Sequence, residues 1–174
     1  MKFSCEKALL QSMIAIASRA VAPKSTIPAL EGVLLEAEQE LNLTGYNLKT
    51  GIRGTISADI SEPGSIVLSA RLFGDIIRRL PDDVVTLSTN DLMVNITCGM
   101  SEFNILGIDP SQFPELPAVE YLPQRILHSM ITETIFAVST NDSRPIHTGE
   151  LFERDGVGML TVVAVDGYRL ALRR

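Results

Sequence analysis

Three residues in the second half of the chain have side chains that could support acyl transfer: Asp142, Ser143 and His147. A hydroxyl nucleophile, an imidazole base and an orienting carboxylate perform that chemistry in hydrolases. Catalytic triads are assembled in space from separate parts of a fold, so closeness in sequence is poor evidence for one. The sequence also contains no recognisable nucleophile or metal motif. It therefore predicts a protein that is not an enzyme and that needs neither a cofactor nor a metal.

The remaining reactive side chains fit a structural role. Cys5 and Cys98 have neither CxxC nor metal-ligand spacing, and His128 has no ligand partner nearby in the sequence. Two buried free thiols in a reducing compartment are the expected state. The apolar run near the N-terminus is interrupted by polar residues, and no run approaches the ~20 residues that cross a bilayer. We predict a cytoplasmic protein with no membrane partner.

Positive charge is concentrated in two segments of an acidic chain. The net charge is −6, yet residues 1–24 carry +3 and residues 70–79 carry +2, which leaves −11 on the remainder. Local fields rather than net charge attract polyanions, so a basic face on an acidic body can still bind one. The alternative is that both segments are ordinary solvated helix faces.

Both basic segments coincide with predicted amphipathic helices. The first helix runs from Glu6 to about Val21, and the apolar positions that recur along it at helical spacing are Leu9, Met13, Ile16, Ala17 and Ala20. The second runs from Ala70 to Leu80 and is expected to bury Leu72, Phe73, Ile76, Ile77 and Leu80. Strands are predicted at 1–4, 30–38, 41–46, 49–60, 65–69, 84–88, 93–98 and 103–106. Residues 1–107 thus form strand-helix-three strands, taken twice.

The chain then changes character. Four prolines between Asp109 and Pro123 predict a linker or domain boundary. Beyond it, a third amphipathic helix is marked by Leu127, Met130, Ile131, Thr134 and Val138. Strands at 150–154 and 159–165 follow. The pair Asp166-Gly167 then predicts a hairpin with a tight turn, because glycine readily supplies the positive φ such a turn needs.

Residues 125–153 repeat residues 8–36 at an offset of 117. The matches are Ser129-Met130-Ile131, Ala137-Val138, Pro145, Gly149, Leu151 and Glu153. An offset of 119 then aligns Asp166-Gly167 with Asn47-Leu48. A repeat dictates architecture, so the second segment should fold as the first does. It stops in mid-repeat at Arg174, and half a unit would leave an exposed sheet edge. We expect a fragment of a longer tandem protein; the alternative is that another chain covers the half unit.

Several motifs together resemble the bacterial DNA polymerase III β subunit family, the sliding clamps, over the whole chain. They are Met1-Lys2-Phe3, Ile27-Pro28-Ala29-Leu30, residues 107–114, residues 136–139, Ser143-Arg144-Pro145 and residues 164–170. The resemblance implies an α+β DNA-clamp fold of tandem pseudo-repeats, with helices on one face of antiparallel sheets. It assigns residues 1–117 to a complete clamp domain I, 118–123 to a linker and 124–174 to the first half of domain II, with domain III absent.

The family resemblance also implies a function. Two subunits join head to tail into a ring around duplex DNA, and this homodimer tethers the replicative polymerase as a processivity factor. Phosphate contacts of that kind carry no sequence information and so permit sliding. The residues expected to approach DNA are Lys7, Arg19, Lys24, Arg71, Arg78, Arg79, Asn141 and Arg144. The family often has aromatic residues where Pro145 and Ile146 stand here.

The hairpin matches one wall of the family's docking pocket for short peptides from polymerases, the clamp loader and repair proteins. The matching positions are His147, Val165, Gly167, Tyr168, Arg169 and Leu170. The family commonly has Thr and His in place of Val165 and Tyr168, so a somewhat more apolar pocket is expected. Its other wall belongs to domain III, so weak or absent peptide binding is expected of residues 1–174. The competing interpretation is an oligomeric scaffold whose basic helices do not bind DNA.

Overall fold

Residues 1–106 fold as two similar halves, which begin with the strands Lys2–Glu6 and Gly64–Ser69. These two first strands organise the fold. The computed structural model describes residues 1–117, 122–141, 143–156 and 158–174. It divides into two compact units, Met1–Pro117 and Ala118–Arg174. The elements of the first are β1 (Lys2–Glu6), α1 (Lys7–Ala17), β2 (Gly32–Ala37), β3 (Leu41–Tyr46), β4 (Gly51–Ile56), β5 (Asp59–Glu62), β6 (Gly64–Ser69), α2 (Ala70–Arg79), β7 (Val84–Asn90), β8 (Met93–Cys98) and β9 (Ser101–Leu106).

The two antiparallel sheets of the first unit exchange these first strands. One sheet has the order β5-β1-β7-β8-β9, and the other has the order β4-β3-β2-β6. Strand β1 therefore lies among the strands of the second half, whereas β6 completes the sheet of the first half. The predicted α+β class and its doubled strand-helix-three-strand pattern are confirmed. Strand β5 is an addition that carries the chain from one half to the other.

A single core joins both sheets and both helices. Its largest fully buried side chains include Phe3, Leu10, Leu35, Phe73 and Leu87. Burying one such side chain contributes about 1.5–3 kcal/mol. Because these residues come from both halves, we infer that neither half can bury its apolar face alone.

The predicted inward face of α1 was wrong in part. Leu10, Ile14 and Ala17 are buried, whereas Leu9 and Ile16 are each 42% exposed. The helix is apolar around most of its circumference, so periodicity alone could not select the face that meets the core. Met13 is partly buried against the core, as expected, and Ala20 is buried in the short 3-10 turn that follows the helix.

The prediction for α2 needs one correction. Phe73, Ile76 and Ile77 are buried in α2, and Leu80 is buried directly after it, but Leu72 is 48% exposed and Ala70 takes the inward position. Counted from Phe73, the buried residues occupy the positions i, i+3, i+4 and i+7, which form one apolar face of a helix. Leu72 lies outside that face.

The predicted strand at 49–60 is two strands in the structure. Strand β4 pairs with β3, and β5 pairs with β1 in the other sheet. Apolar residues alternate along both β4 and β5 because the two strands face the same core. The alternation therefore could not indicate that the chain passes from one sheet to the other. The strand predicted from residue 30 begins at Gly32, since Pro28–Glu31 form a 3-10 turn.

The second unit repeats the first at the predicted register. Its elements are α3 (Gln124–Thr134), β10 (Leu151–Arg154), β11 (Leu160–Val165) and β12 (Leu170–Arg173). Helix α3 matches α1 at an offset of 117, and β11 matches β3 at 119. Burial of Met130 and Thr134 agrees with the predicted inward face of α3. The three strands form one antiparallel sheet in the order β10-β11-β12.

Part of the proline-rich segment packs on the first unit. Ile108 exchanges two backbone hydrogen bonds with Val67, at 2.8 and 3.1 Å. Phe113 is 7% exposed and packs with Val67 and Ala29. The segment is therefore anchored up to about residue 116. Residues 118–121 of the predicted linker lie outside the described residues.

The two cysteines are free and buried, as predicted. Burial, together with the smaller effect of the neighbouring Glu6 carboxylate, raises the pKa of the Cys5 thiol to about 11. Burial also raises the pKa of the Cys98 thiol. Both thiols are therefore protonated at neutral pH, which makes them poor nucleophiles.

Two glycine substitutions test how closely the first unit is packed. A Cβ at Gly45 would collide with the backbone carbonyl of Ala17, whereas a Cβ at Gly74 would only touch Ile14 at 3.5 Å. We expect Gly45→Ala to destabilise the chain by about 1–3 kcal/mol, because a backbone group must shift. Gly74→Ala should stabilise it by roughly 0.5–1 kcal/mol, as in an ordinary helix interior. Urea unfolding followed by circular dichroism measures both, and equal effects would contradict the packing described here.

Candidate nucleic-acid and partner-docking sites

The two helices of the first unit border an open groove of about 710 Å³. Its lining includes Gln11 and Ser18 at the α1 side and Arg71, Asp75 and Arg78 from α2. Arg71, Arg78 and Arg79 are exposed on α2. Arg19, in the turn after α1, and Lys24, in the following loop, are exposed as well. Arg71 and Arg78 therefore line the groove together with the acids Glu31 and Asp75, whereas Arg19, Lys24 and Arg79 are exposed outside its lining.

Lys7 differs from the other predicted cations. Its side chain is only 11% exposed, and its Nζ donates to Asp82 Oδ1 at 2.8 Å. The hydrogen bond from Lys7 and the charge of its ammonium group hold the pKa of the Asp82 carboxyl below its usual range. Lys7 therefore connects the start of α1 to the turn after α2, and its charge is already compensated within the fold.

The predicted hairpin is present in the second unit, but its turn is longer than expected. Val165 pairs with Leu170, so four residues rather than two form the loop. Asp166 Oδ1 accepts hydrogen bonds from the amides of Tyr168 and Arg169, both at 3.0 Å. Gly167 has φ of +95°, as the Asp-Gly pair predicted. The carboxylate of Asp166 organises the loop, and this favours a four-residue closure over a two-residue turn.

The same loop recurs in the first unit at an offset of 119. Asn47 Oδ1 accepts from the amides of Lys49 and Thr50, at 3.0 and 2.8 Å. Tyr46 pairs with Gly51 across it, and Leu48 has φ of +71°. The equivalence predicted from sequence therefore extends to individual hydrogen bonds.

Asp166 has a second role that its sequence equivalent, Asn47, cannot have. Its Oδ2 accepts from Arg169 Nε at 2.7 Å. The pKa of the Asp166 carboxyl is lowered, chiefly by the hydrogen bond from the Tyr168 amide and further by Arg169. Because the folded pKa is below the unfolded one, this stabilisation is present at neutral pH and is lost as pH falls through the folded pKa.

The loop before β10 approaches this hairpin. Ser139 N donates to His147 O at 2.9 Å, as Ala22 N donates to Leu30 O at 3.0 Å in the first unit. Asn141 Oδ1 accepts from the amide of Ser143 at 2.9 Å. Asp142, one of the three residues with hydrolase-like side chains, lies outside the described residues.

A concavity of about 460 Å³ is bordered by both loops. It brings together six of the predicted site residues: Asn141, Arg144, His147, Gly167, Tyr168 and Arg169. Val165 and Leu170 do not line it; they form the strand pair that closes the loop. The lining consists largely of polar side chains. Val165 lies in the strand, and Tyr168 is fully exposed.

Asp166 is the functional candidate that sequence reasoning missed. It was interpreted as half of a turn, although the structure places it in the lining and at the centre of the loop's hydrogen bonds. The available signal was its alignment with Asn47, since Asn and Asp share the ability to accept from amides two and three residues ahead.

Strand β9 is an edge strand with exposed apolar side chains. It pairs only with β8 among the described strands. Phe103 is 39% exposed and Leu106 is 70% exposed. An uncovered edge of this kind offers unpaired backbone groups and apolar area to another chain.

Two further features concern other classes of site. The residues that the structure describes contain no group of three or more His, Cys, Asp or Glu side chains able to hold a metal ion. Among the same residues, no helix is long and apolar enough to span a membrane.

The exchanged first strands, the doubled units and the two helices that border one groove together define a protein of the DNA-clamp type. The model of the DNA polymerase III beta subunit N-terminal domain matches residues 1–117, and the model of the central domain of the same subunit matches residues 121–174. The chain belongs to the DNA polymerase III beta subunit family.

Individual relatives agree with the family models. The beta sliding clamp of Halalkalibacterium halodurans is 36% identical over 189 aligned positions, which cover 100% of this chain and 50% of that protein. The beta subunit of DNA polymerase from Streptococcus pyogenes has a crystal structure that is similar at a TM-score of 0.77 and 32% identity, covering 99% of this chain and 49% of that one. The crystal structure of a sliding clamp from Pseudomonas aeruginosa bound to griselimycin is similar at a TM-score of 0.76 and 31% identity, covering 99% of this chain and 48% of that one. The chain spans about half the length of the relatives it matches.

Asp166 offers a direct test of the hairpin geometry. Asp166→Ala should increase hydrogen exchange at the Tyr168 and Arg169 amides, because their acceptor is removed. Asp166→Asn should retain most of the protection, since Asn47 holds the same loop in the first unit. Exchange measured by NMR at neutral pH compares the two variants. Equal protection in the Ala variant and the unsubstituted chain would contradict the assigned acceptor.

Proposed function

We propose that this chain forms part of a sliding clamp, a ring subunit that encircles duplex DNA and acts as a processivity factor for the replicative polymerase. The observation that carries the proposal is the groove between α1 and α2, which is lined by Arg71 and Arg78 of α2 in a clamp-type fold. The residues proposed to approach phosphates are Arg19, Lys24, Arg71, Arg78, Arg79, Asn141 and Arg144.

The chemistry of this surface suits sliding. Exposed guanidinium and ammonium groups attract phosphates without reading bases, so one binding position on the duplex is as favourable as the next. Lys7 has a different proposed role. Because it is largely buried and paired with Asp82, it supports the position of α1 rather than binding DNA directly.

Ring closure is proposed to use the β9 edge. Its exposed Phe103 and Leu106 and its unpaired backbone suit a second subunit arranged head to tail. In this arrangement residues 1–117 are clamp domain I, residues 118–123 are a linker, and residues 124–174 are the first half of domain II.

Partner docking is proposed at the concavity beside the hairpin. His147, Gly167, Tyr168 and Arg169 line it, and the strand pair Val165 and Leu170 supports it. The related Pseudomonas aeruginosa clamp binds griselimycin, and this supports the presence of a ligand site on the clamp. The partners would be short peptide segments of the polymerase, the clamp loader and repair proteins. The open, polar lining suits weak, reversible contact with such segments.

The clamp is proposed to act by topology and to have no chemistry of its own. No cofactor is invoked, and loading onto DNA is assigned to a separate ATP-driven partner. The site of action would be the cytoplasm. The competing function is that of an oligomeric scaffold built from the same units, in which the cations only keep the helices solvated.

Charge-removing variants distinguish these two functions. Arg71→Gln should weaken binding of a fluorescent DNA duplex and lower the slope of log K against log salt by about 0.9, the value for one lost phosphate contact. Arg53→Gln is the matched control. Arg53 lies on the sheet face opposite the helices and pairs with Glu36 at 3.3 Å. Fluorescence anisotropy at several salt concentrations gives both quantities. Equal effects of the two substitutions, or no salt-sensitive binding at all, would favour the scaffold.

A further inference from the structure

An acidic side chain lies between the arginines of the proposed DNA-facing groove. Asp75 is four residues after Arg71 and three before Arg78, so all three share one face of α2. Each of them lines the groove. A carboxylate at this position opposes binding of a polyanion, and its presence among the cations needs a physical explanation.

The carboxylate is paired with one of the two arginines. Arg78 Nη2 donates to Asp75 Oδ1 at 2.5 Å, within the same helix. The side chains are 65% and 45% exposed, respectively, so the pair is open to solvent. Exposed pairs of this kind are weak and exchange readily. A DNA phosphate can therefore displace Asp75 from Arg78, but it must compete to do so.

We propose that Asp75 limits the affinity of the groove for DNA by competing with phosphate for the Arg78 guanidinium. The inference rests on the proposed function and refines it. The paired arginine contributes less to binding than a free one, because the carboxylate that it leaves must take up a cation from solution. Asp75 thereby keeps the contact weak enough for the duplex to move past α2.

The alternative explanation is that Asp75 only stabilises α2 through its pairing with Arg78. Pairs three or four residues apart stabilise isolated helices slightly. Such a role predicts a change in thermal stability on removal of the carboxylate, with no change in DNA affinity beyond that of any lost negative charge.

The test is Asp75→Asn in the full chain of 174 residues, with a fluorescent DNA duplex as the probe and anisotropy as the readout. We expect about two- to five-fold tighter binding, the range for breaking an exposed ion pair. The salt slope should steepen by up to about 0.9, as for one added phosphate contact. Asp59→Asn is the matched control, since Asp59 is an exposed acid on β5, which is the edge strand of the five-stranded sheet.

Arg78→Gln, measured alone and combined with Asp75→Asn, completes a double-mutant cycle for this ion pair. The gain from removing the carboxylate should disappear when Arg78 is absent, because the two side chains act as a pair. A gain that persists without Arg78, or a gain that Asp59→Asn reproduces, would overturn the inference while leaving the proposed function intact. No salt-sensitive DNA binding by the unsubstituted chain would contradict the proposed function and this inference together.

Discussion

The exchange of β1 and β6 between the two sheets is the constraint on which the first unit depends. Each half contributes the strand that completes the other half's sheet, and Phe3 on β1 is fully buried in the shared core. Helices α1 and α2 follow directly from the exchanged strands, so the exchange brings them together on one side of the sheets. The groove that Arg71 and Arg78 line is a consequence of this pairing. Neither helix alone would form it.

The repeat explains why so much of the architecture could be predicted from sequence. Identities at an offset of 117 predicted that α3 would match α1, and an offset of 119 predicted the two loops at Asn47 and Asp166. Alternating and helical periodicities are local properties, and they located most strands and all three helices. What they could not supply was the choice of inward face for α1, because Leu9 and Leu10 are equally apolar and only the assembled sheets select between them.

The candidate sites were less predictable than the fold. Exposure of the arginines on α2 follows from amphipathicity, but the burial of Lys7 against Asp82 depends on two segments that are 75 residues apart. In the same way, Asp166 and Asn141 come to border one concavity only because the loop before β10 folds back on the hairpin. Contacts of this range have no local sequence signal. Val165, which was expected at the concavity, instead pairs with Leu170 at the base of the loop.

Under the proposed function, this fold holds DNA by enclosing it rather than by binding it tightly. Exposed cations give weak contacts, so only topology can make the attachment lasting. The most direct measurement is retention of a clamp that contains this chain, after loading by a clamp loader, on circular plasmid before and after linearisation. We predict retention on the circle that survives moderate salt and is lost once the DNA has ends. Equal retention on circular and linear DNA would contradict the claim.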